Sequence, residues 1–157
     1  MPHRAPLQDF KDFLVSLNKE KVKFLIVGAH AMSQHGYTRA TGDLDILVFP
    51  ELNNYEALIK ALKRFGAPCG NLSVEDFQDK ETVFQIGVPP LRIDILNSVD
   101  GVSAKAAFAK STKGRMLGVS VRFLGLDSLI ANKTSTGRPK DLLDVAELKA
   151  LRKRRAK

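Results

Sequence analysis

The sequence predicts an α/β (α+β) domain, a sheet of about four to five strands flanked by helices. Three observations carry this. Amphipathic stretches at helical spacing alternate with short apolar runs, and Gly or Pro closes most of those runs. The chain has 157 residues, 44% hydrophobic and 27% charged, which suits a globular domain able to bury a core.

The elements follow in order. "LQDFKDFLVSLNKE" places Leu7, Phe10, Phe13, Leu14 and Leu17 on one helical face. "VKFLIVG" is an apolar run ending in Gly, as in a buried strand. "AHAMSQHG" fits a short helix stopped by Gly36, and "DLDILVF" is a strand closed by Pro50. "NNYEALIKALKRFG" predicts a helix with Asn53 or Asn54 near its start and Gly66 at its end. "ETVFQIGV" and "LRIDILN" predict two strands around the Pro89-Pro90 turn. "VSVRFLG" is a further strand, after a small helical or loop region. "LDSLIANKTS" and "PKDLLDVAELKALRKR" predict two helices, with Pro139 in the first turn of the second.

The net charge of +8 is unevenly placed. The last nine residues, "KALRKRRAK", hold six Lys or Arg and no acid, leaving 19 of the 25 basic residues against the 17 acidic ones. Residues 1–148 therefore read as one domain and 149–157 as a basic C-terminal tail, either a solvated end or a phosphate-binding one. No apolar run approaches the ~20 residues of a membrane span, and no signal-peptide core is present. The lone Cys69 excludes an internal disulfide, and the expected location is cytoplasmic.

The chemistry concentrates in "RATGDLDILV". Alternation puts Asp43, Asp45 and Leu47 on one strand face and Leu44, Ile46 and Val48 on the other. In "LRIDIL", Arg92 and Asp94 share a face opposite Ile93 and Ile95. If the two strands are neighbours, three carboxylates converge, and their repulsion needs a metal ion, a basic side chain or open water. A divalent cation would remove it, and oxygen ligands favour Mg²⁺ or Mn²⁺ over Zn²⁺. Upstream, "FLIVGAHAMSQHG" offers a strand, a Gly-Ala turn and a helix start, where backbone N–H groups and Gly28 could admit a phosphate. Metal-binding acids beside a phosphate cradle are what phosphoryl or nucleotidyl transfer requires. No G-x-x-x-x-G-K-[ST] stretch occurs, which argues against a P-loop. His30 and His35 lie five apart, off the i,i+4 spacing of a helical zinc pair.

"VGA", then "HAMSQHGYTRATG", then "DLD", with "RIDIL" downstream, resembles the DNA polymerase β-like nucleotidyltransferase superfamily. The R-x-T-x-D-x-D form (Arg39, Thr41, Asp43, Asp45) is similar to its small prokaryotic branch related to abortive-infection (AbiEii-type) toxins. "NKTSTGRPKDLLDV" is similar to that branch's Lys-[Ser/Thr] and Lys/Arg-Asp-x-x-Asp segments, at Lys133, Arg138, Lys140, Asp141 and Asp144. The resemblance covers residues 22 to about 148 and implies a single nucleotidyltransferase-like domain with a mixed sheet.

The resemblance implies that Asp43, Asp45 and Asp94 are catalytic and hold two Mg²⁺ (or Mn²⁺), with Asp94 placed as general base. It implies that Gly28, Ala29, Arg39, Thr41 and Lys133 bind the nucleoside triphosphate. Ala29 stands where the family has Gly or Ser, keeping the N–H and losing a hydroxyl. The expected reaction moves a nucleoside monophosphate from an NTP to a hydroxyl of RNA, tRNA or protein and releases pyrophosphate. Expected partners are RNA through the basic tail, or a cognate antitoxin. Two further readings stand beside this one: a non-catalytic nucleotide- or nucleic-acid-binding module, and a toxin–antitoxin component that acts only with its partner protein. The alternative for Asp43 and Asp45 is an edge strand with both acids in water or paired with Arg39 and Arg92. For Asp94 it is a salt bridge to Arg92, for Asp141 and Asp144 pairing with Lys140 or Lys133, and for Lys133, Arg138 and Lys140 a solvated surface.

Overall fold

A computed structural model describes residues 6–38, 42–79, 83–88 and 91–156. Arg39 and Thr41 lie outside the described residues. The order is α1 (Pro6–Lys19), β1 (Phe24–Val27), α2 (Gly28–Gln34), β2 (Asp43–Val48), α3 (Leu52–Phe65), a 3-10 turn (Val74–Phe77), β3 (Val83–Val88) and β4 (Leu91–Leu96). Then follow α4 (Ala104–Ala109), β5 (Thr112–Met116), β6 (Val119–Phe123), α5 (Leu126–Thr136) and α6 (Pro139–Arg155). The expected α/β architecture is present.

The strands form one mixed sheet in the order β3-β4-β2-β1-β6-β5. Pairs β2–β4 and β1–β6 are parallel, and the other neighbours are antiparallel. Register links Phe84, Ile95, Ile46, Ile26 and Phe123 into one apolar row across five strands. One residue along each strand, the row is Gln85, Asp94, Asp45 and Val27, so the acids take the opposite face. The apolar face meets α1 and α3. Phe10, Phe13, Leu14 and Leu17 of α1 are buried, as are Tyr55, Leu58, Ala61 and Leu62 of α3. Tyr55 stacks on Phe77 at 5.4 Å, and Phe77 meets Phe84 edge-on. Leu7, expected on the same stripe, is 54% exposed.

The structure has six strands, one more than the upper expectation. The added strand is β5, "TKGRM", which has no apolar alternation and is mostly exposed. It exists because Leu117 (φ 53°) and Gly118 (φ 79°) form a two-residue reversal that returns the chain alongside β6. The expected basic tail is also ordered further than composition suggested: α6 runs on to Arg155. Leu148 is buried on its inner face. Arg155 donates to the His35 carbonyl at 2.7 Å, and Arg152 pairs with Asp127 at 3.0 Å. Cations in a last helical turn also favour the helix dipole. Among the described residues no helix is long and apolar enough to cross a membrane.

Candidate functional site

Two neighbouring parallel strands bring the predicted acids together. Asp45 is in register with Asp94, and Asp43 with Arg92. The expected convergence is therefore met, with a cation inside it. Arg92 Nη2 donates to Asp43 Oδ2 at 3.2 Å and to Asp94 Oδ2 at 3.1 Å. Its Nε lies 2.9 Å from Asp94 Oδ1, at an angle that leaves both atoms without a true hydrogen bond. A single guanidinium thus offsets two carboxylates.

Asp45 is the acid Arg92 does not bond. Its Oδ1 is buried and has no hydrogen-bond partner. Burial raises its carboxyl. The charge of Asp94, a hydrogen bond to Asp94 and the charge of Asp43 add to that, and Arg92 opposes them. Asp45 is pushed up to about 7. A carboxyl that loses its proton only near neutral pH, with one oxygen unbonded, makes Asp45 a candidate ligand position.

Gly28 closes this corner. It follows β1 directly, at φ +68°, and a Cβ there would lie 2.6 Å from Asp45 Oδ2. Glycine is required twice, by the left-handed backbone and by the close approach. Gly28→Ala is expected to destabilise the fold by about 1–3 kcal/mol, since Asp45 must move and the backbone is strained. Urea denaturation would show a lower midpoint with unchanged slope. An unchanged midpoint would mean the contact is slack.

Around the acids stand groups the sequence did not single out for this role. His30, in the first turn of α2, hydrogen-bonds the Asp43 backbone carbonyl, and burial holds its pKa below the usual value. Its ring meets Phe10 edge-on at 6.3 Å. His35 is a packing residue. Its Nε2 lies 2.9 Å from the Leu124 carbonyl, and its Nδ1 faces Arg155 at 3.2 Å. Burial lowers its pKa, which fits a neutral ring donating through Nε2 and accepting at Nδ1.

The late segment forms its own buried cluster between α5 and α6. Lys133 Nζ lies 3.1 Å from Asp141 and 3.4 Å from Asp144. Thr136 and Arg138 also donate to Asp141, at 2.6 and 2.7 Å, and the Tyr37 hydroxyl donates to Asp144 at 3.2 Å. Burial alone would raise Asp141, but the hydrogen bonds from Thr136, Arg138 and Lys133 outweigh it and hold the carboxyl at about 2. Lys133 is thus engaged with α6, and Lys140 is exposed.

The donor set tests well for a hard divalent cation in one respect and less well in another. Asp45 and Asp94 supply carboxylate oxygens, two of them (Asp45 Oδ1 and Asp94 Oδ1) without a hydrogen bond, and oxygen ligands suit Mg²⁺ or Mn²⁺. Yet among the described residues no three His, Cys, Asp or Glu side chains are gathered closely enough to hold an ion. Asp43 and Asp94 are both bonded to Arg92.

Solved structures with the same architecture exist. One is the protein TM1012 of Thermotoga maritima, provisionally described as a nucleotidyltransferase. It superposes with a TM-score of 0.55 at 16% identity, over 94% of this chain and 90% of that one. The chain shares a nucleotidyltransferase-like fold. A second neighbour is the antibiotic-resistance factor ANT(2'')-Ia, described as having substrate-regulated conformation dynamics. It matches with a TM-score of 0.59 at 15% identity, over 90% of this chain and 80% of that one. No family profile matches the chain, and no curated protein matches it in sequence.

Proposed function

We propose that the chain is a divalent-cation-dependent nucleotidyltransferase of the small prokaryotic branch, moving a nucleoside monophosphate from an NTP to an acceptor hydroxyl. The observation that carries this is Asp45: half-buried, with a buried Oδ1 that has no hydrogen bond, raised to about 7, and in register with Asp94 beneath Gly28. In this reading Asp43, Asp45 and Asp94 hold Mg²⁺ or Mn²⁺. When bound, the cation polarises the α-phosphate and offsets charge on the leaving pyrophosphate.

The chain's own residues do the rest. Gly28 and the Ala29 N–H admit and hold the triphosphate, with Arg39 and Thr41 as further phosphate contacts; Lys133 must first leave Asp141 and Asp144 to join them. Asp94 accepts the proton of the attacking hydroxyl as its oxygen bonds the α-phosphorus and the bond to pyrophosphate breaks. Arg92 must release Asp43 and Asp94 for both to serve as ligands. RNA or protein as acceptor, and a cognate antitoxin as partner, belong to the same reading and rest on the R-x-T-x-D-x-D stretch.

The test is incubation of the protein with Mg²⁺, each α-labelled NTP and total RNA or lysate. Transfer by the wild type, lost in Asp94→Asn, is expected. Transfer retained in Asp94→Asn would sink the assignment. One observation favours a second reading, a nucleotide-binding module without chemistry: Arg92 already neutralises two of the acids. NTP binding without turnover across all acceptors would support it.

A further inference from the structure

The edge hairpin carries a charge pattern that the fold does not explain. Lys113 of β5 stands directly opposite Arg122 of β6, and Arg115 opposite Ser120. All four are exposed, on the face opposite the buried Val119, Val121 and Phe123. Like charges placed directly opposite are unfavourable in an antiparallel pair. Among the described residues, Lys113, Arg115 and Arg122 have no acidic partner. Instead Arg122 donates to the Ser111 hydroxyl at 3.1 Å, and Arg115 to the Gly118 carbonyl at 3.3 Å. Those bonds orient the guanidinium groups and leave their charge unneutralised.

Beside them is a recess of about 470 Å³, lined by Lys23, Lys113, Arg122, Asn18, Ser120 and Phe108 among others. Its lining includes three cations and no acid. Lys23 is paired with Glu51, so Lys113 and Arg122 are the two cations of the recess without an acidic partner among the described residues. The recess therefore combines positive charge with polar side chains, which is the chemistry that holds phosphodiesters. The Ile26–Phe123 pairing sets Arg122 level with Leu25, two residues from Val27, the partner of Asp45. Arg122 alternates with core-facing Phe123, so it shares the sheet face of the acids. At the α6 terminus, where composition alone would place a polyanion, Arg152 and Arg155 are engaged with Asp127 and His35, and Lys149, Lys153 and Arg154 are exposed.

We propose that the β5–β6 face and its recess bind the sugar–phosphate backbone of single-stranded RNA. The proposal does not depend on transfer chemistry, and its test needs none.

Fluorescence anisotropy with a labelled 12-nucleotide oligouridylate, in EDTA, reads binding directly. The wild type is expected to bind saturably. Lys113→Glu with Arg122→Glu should weaken it at least tenfold and reduce the salt slope by about 1.4, two phosphate contacts on a single strand. Lys149→Glu with Arg154→Glu, on the exposed side of α6, should change it less than threefold. Lys113→Glu alone puts opposite charges across the hairpin, so it should lose RNA affinity with a Tm no lower than the wild type. That combination excludes unfolding as the cause. The proposal is overturned if the wild type does not bind, if the hairpin variants bind normally, or if only the α6 variant loses binding. Displacement of the RNA by poly-glutamate as readily as by unlabelled RNA would also overturn it, because the surface would then not favour nucleic acid.

Discussion

Asp45→Asn is expected to be more stable than the wild type and inactive. The sign follows from the proton. Asp45 is pushed up to about 7 in the fold, against 3.8 for the free group. Its folded-state penalty is therefore absent below about pH 4, grows as pH rises, and is complete above 7. At pH 8 removing the charge relieves at most about 4 kcal/mol. For a chain of this size, recovering half or more of that raises Tm by about 5–10 °C. At pH 4 the two proteins should melt together. An amide keeps the carboxyl's shape and can still donate to Asp94. It cannot serve as an anionic ligand, so activity and any stabilisation by Mg²⁺ should vanish together. Stability and function would then be opposed at one atom, as expected where a site holds charge for a ligand. Equal Tm values at pH 8 would show that Asp45 is not strained.

Asp141→Ala should have the opposite effect on stability. The carboxyl is 2% exposed and receives Lys133, Thr136 and Arg138. Removing it leaves the half-buried Lys133 with Asp144 alone, while Thr136 keeps the Lys133 carbonyl and the exposed Arg138 turns to water. Breaking one partner out of a buried ionic cluster costs about 3–5 kcal/mol, so Tm should fall by about 10 °C. The pH dependence has the reverse sign to Asp45. A carboxyl held at about 2 contributes fully above its free value of 3.8, and that contribution is lost as pH falls towards 2. The difference between wild type and variant should therefore shrink between pH 4 and pH 2. A pH-independent difference would mean that packing, and not charge, holds α5 to α6.

Much of this was written in the sequence at short range. Alternation alone separated Asp43 and Asp45 from Leu44 and Ile46, and the structure keeps that division. Pro139 at the start of α6 and Gly66 in the left-handed conformation ending α3 were equally local signals. Long-range partnerships were not legible. Tyr37 reaches Asp144 across 107 positions, and Arg155 reaches His35 across 120, with no periodicity to announce either. The strand β5 was invisible because its residues follow no apolar pattern; its pairing comes from the Leu117–Gly118 reversal. Arg92 was recognisable as a possible partner of the acids. That it would bond two of them at once, leaving Asp45 as the strained member, depends on parallel register that no single strand encodes.

The most direct test of the central claim, that Asp45 and Asp94 are held ready for a divalent cation, is calorimetric titration with Mn²⁺ at pH 6 and pH 8. A carboxyl titrating near 7 must lose its proton to become a ligand. The wild type should bind more tightly at pH 8 and release close to one proton per ion at pH 6, detected in buffers of different ionisation enthalpy. Asp45→Asn should bind at least tenfold more weakly, with no linked proton. Absence of saturable binding by the wild type at pH 8, or equal affinity in Asp45→Asn, would contradict the account.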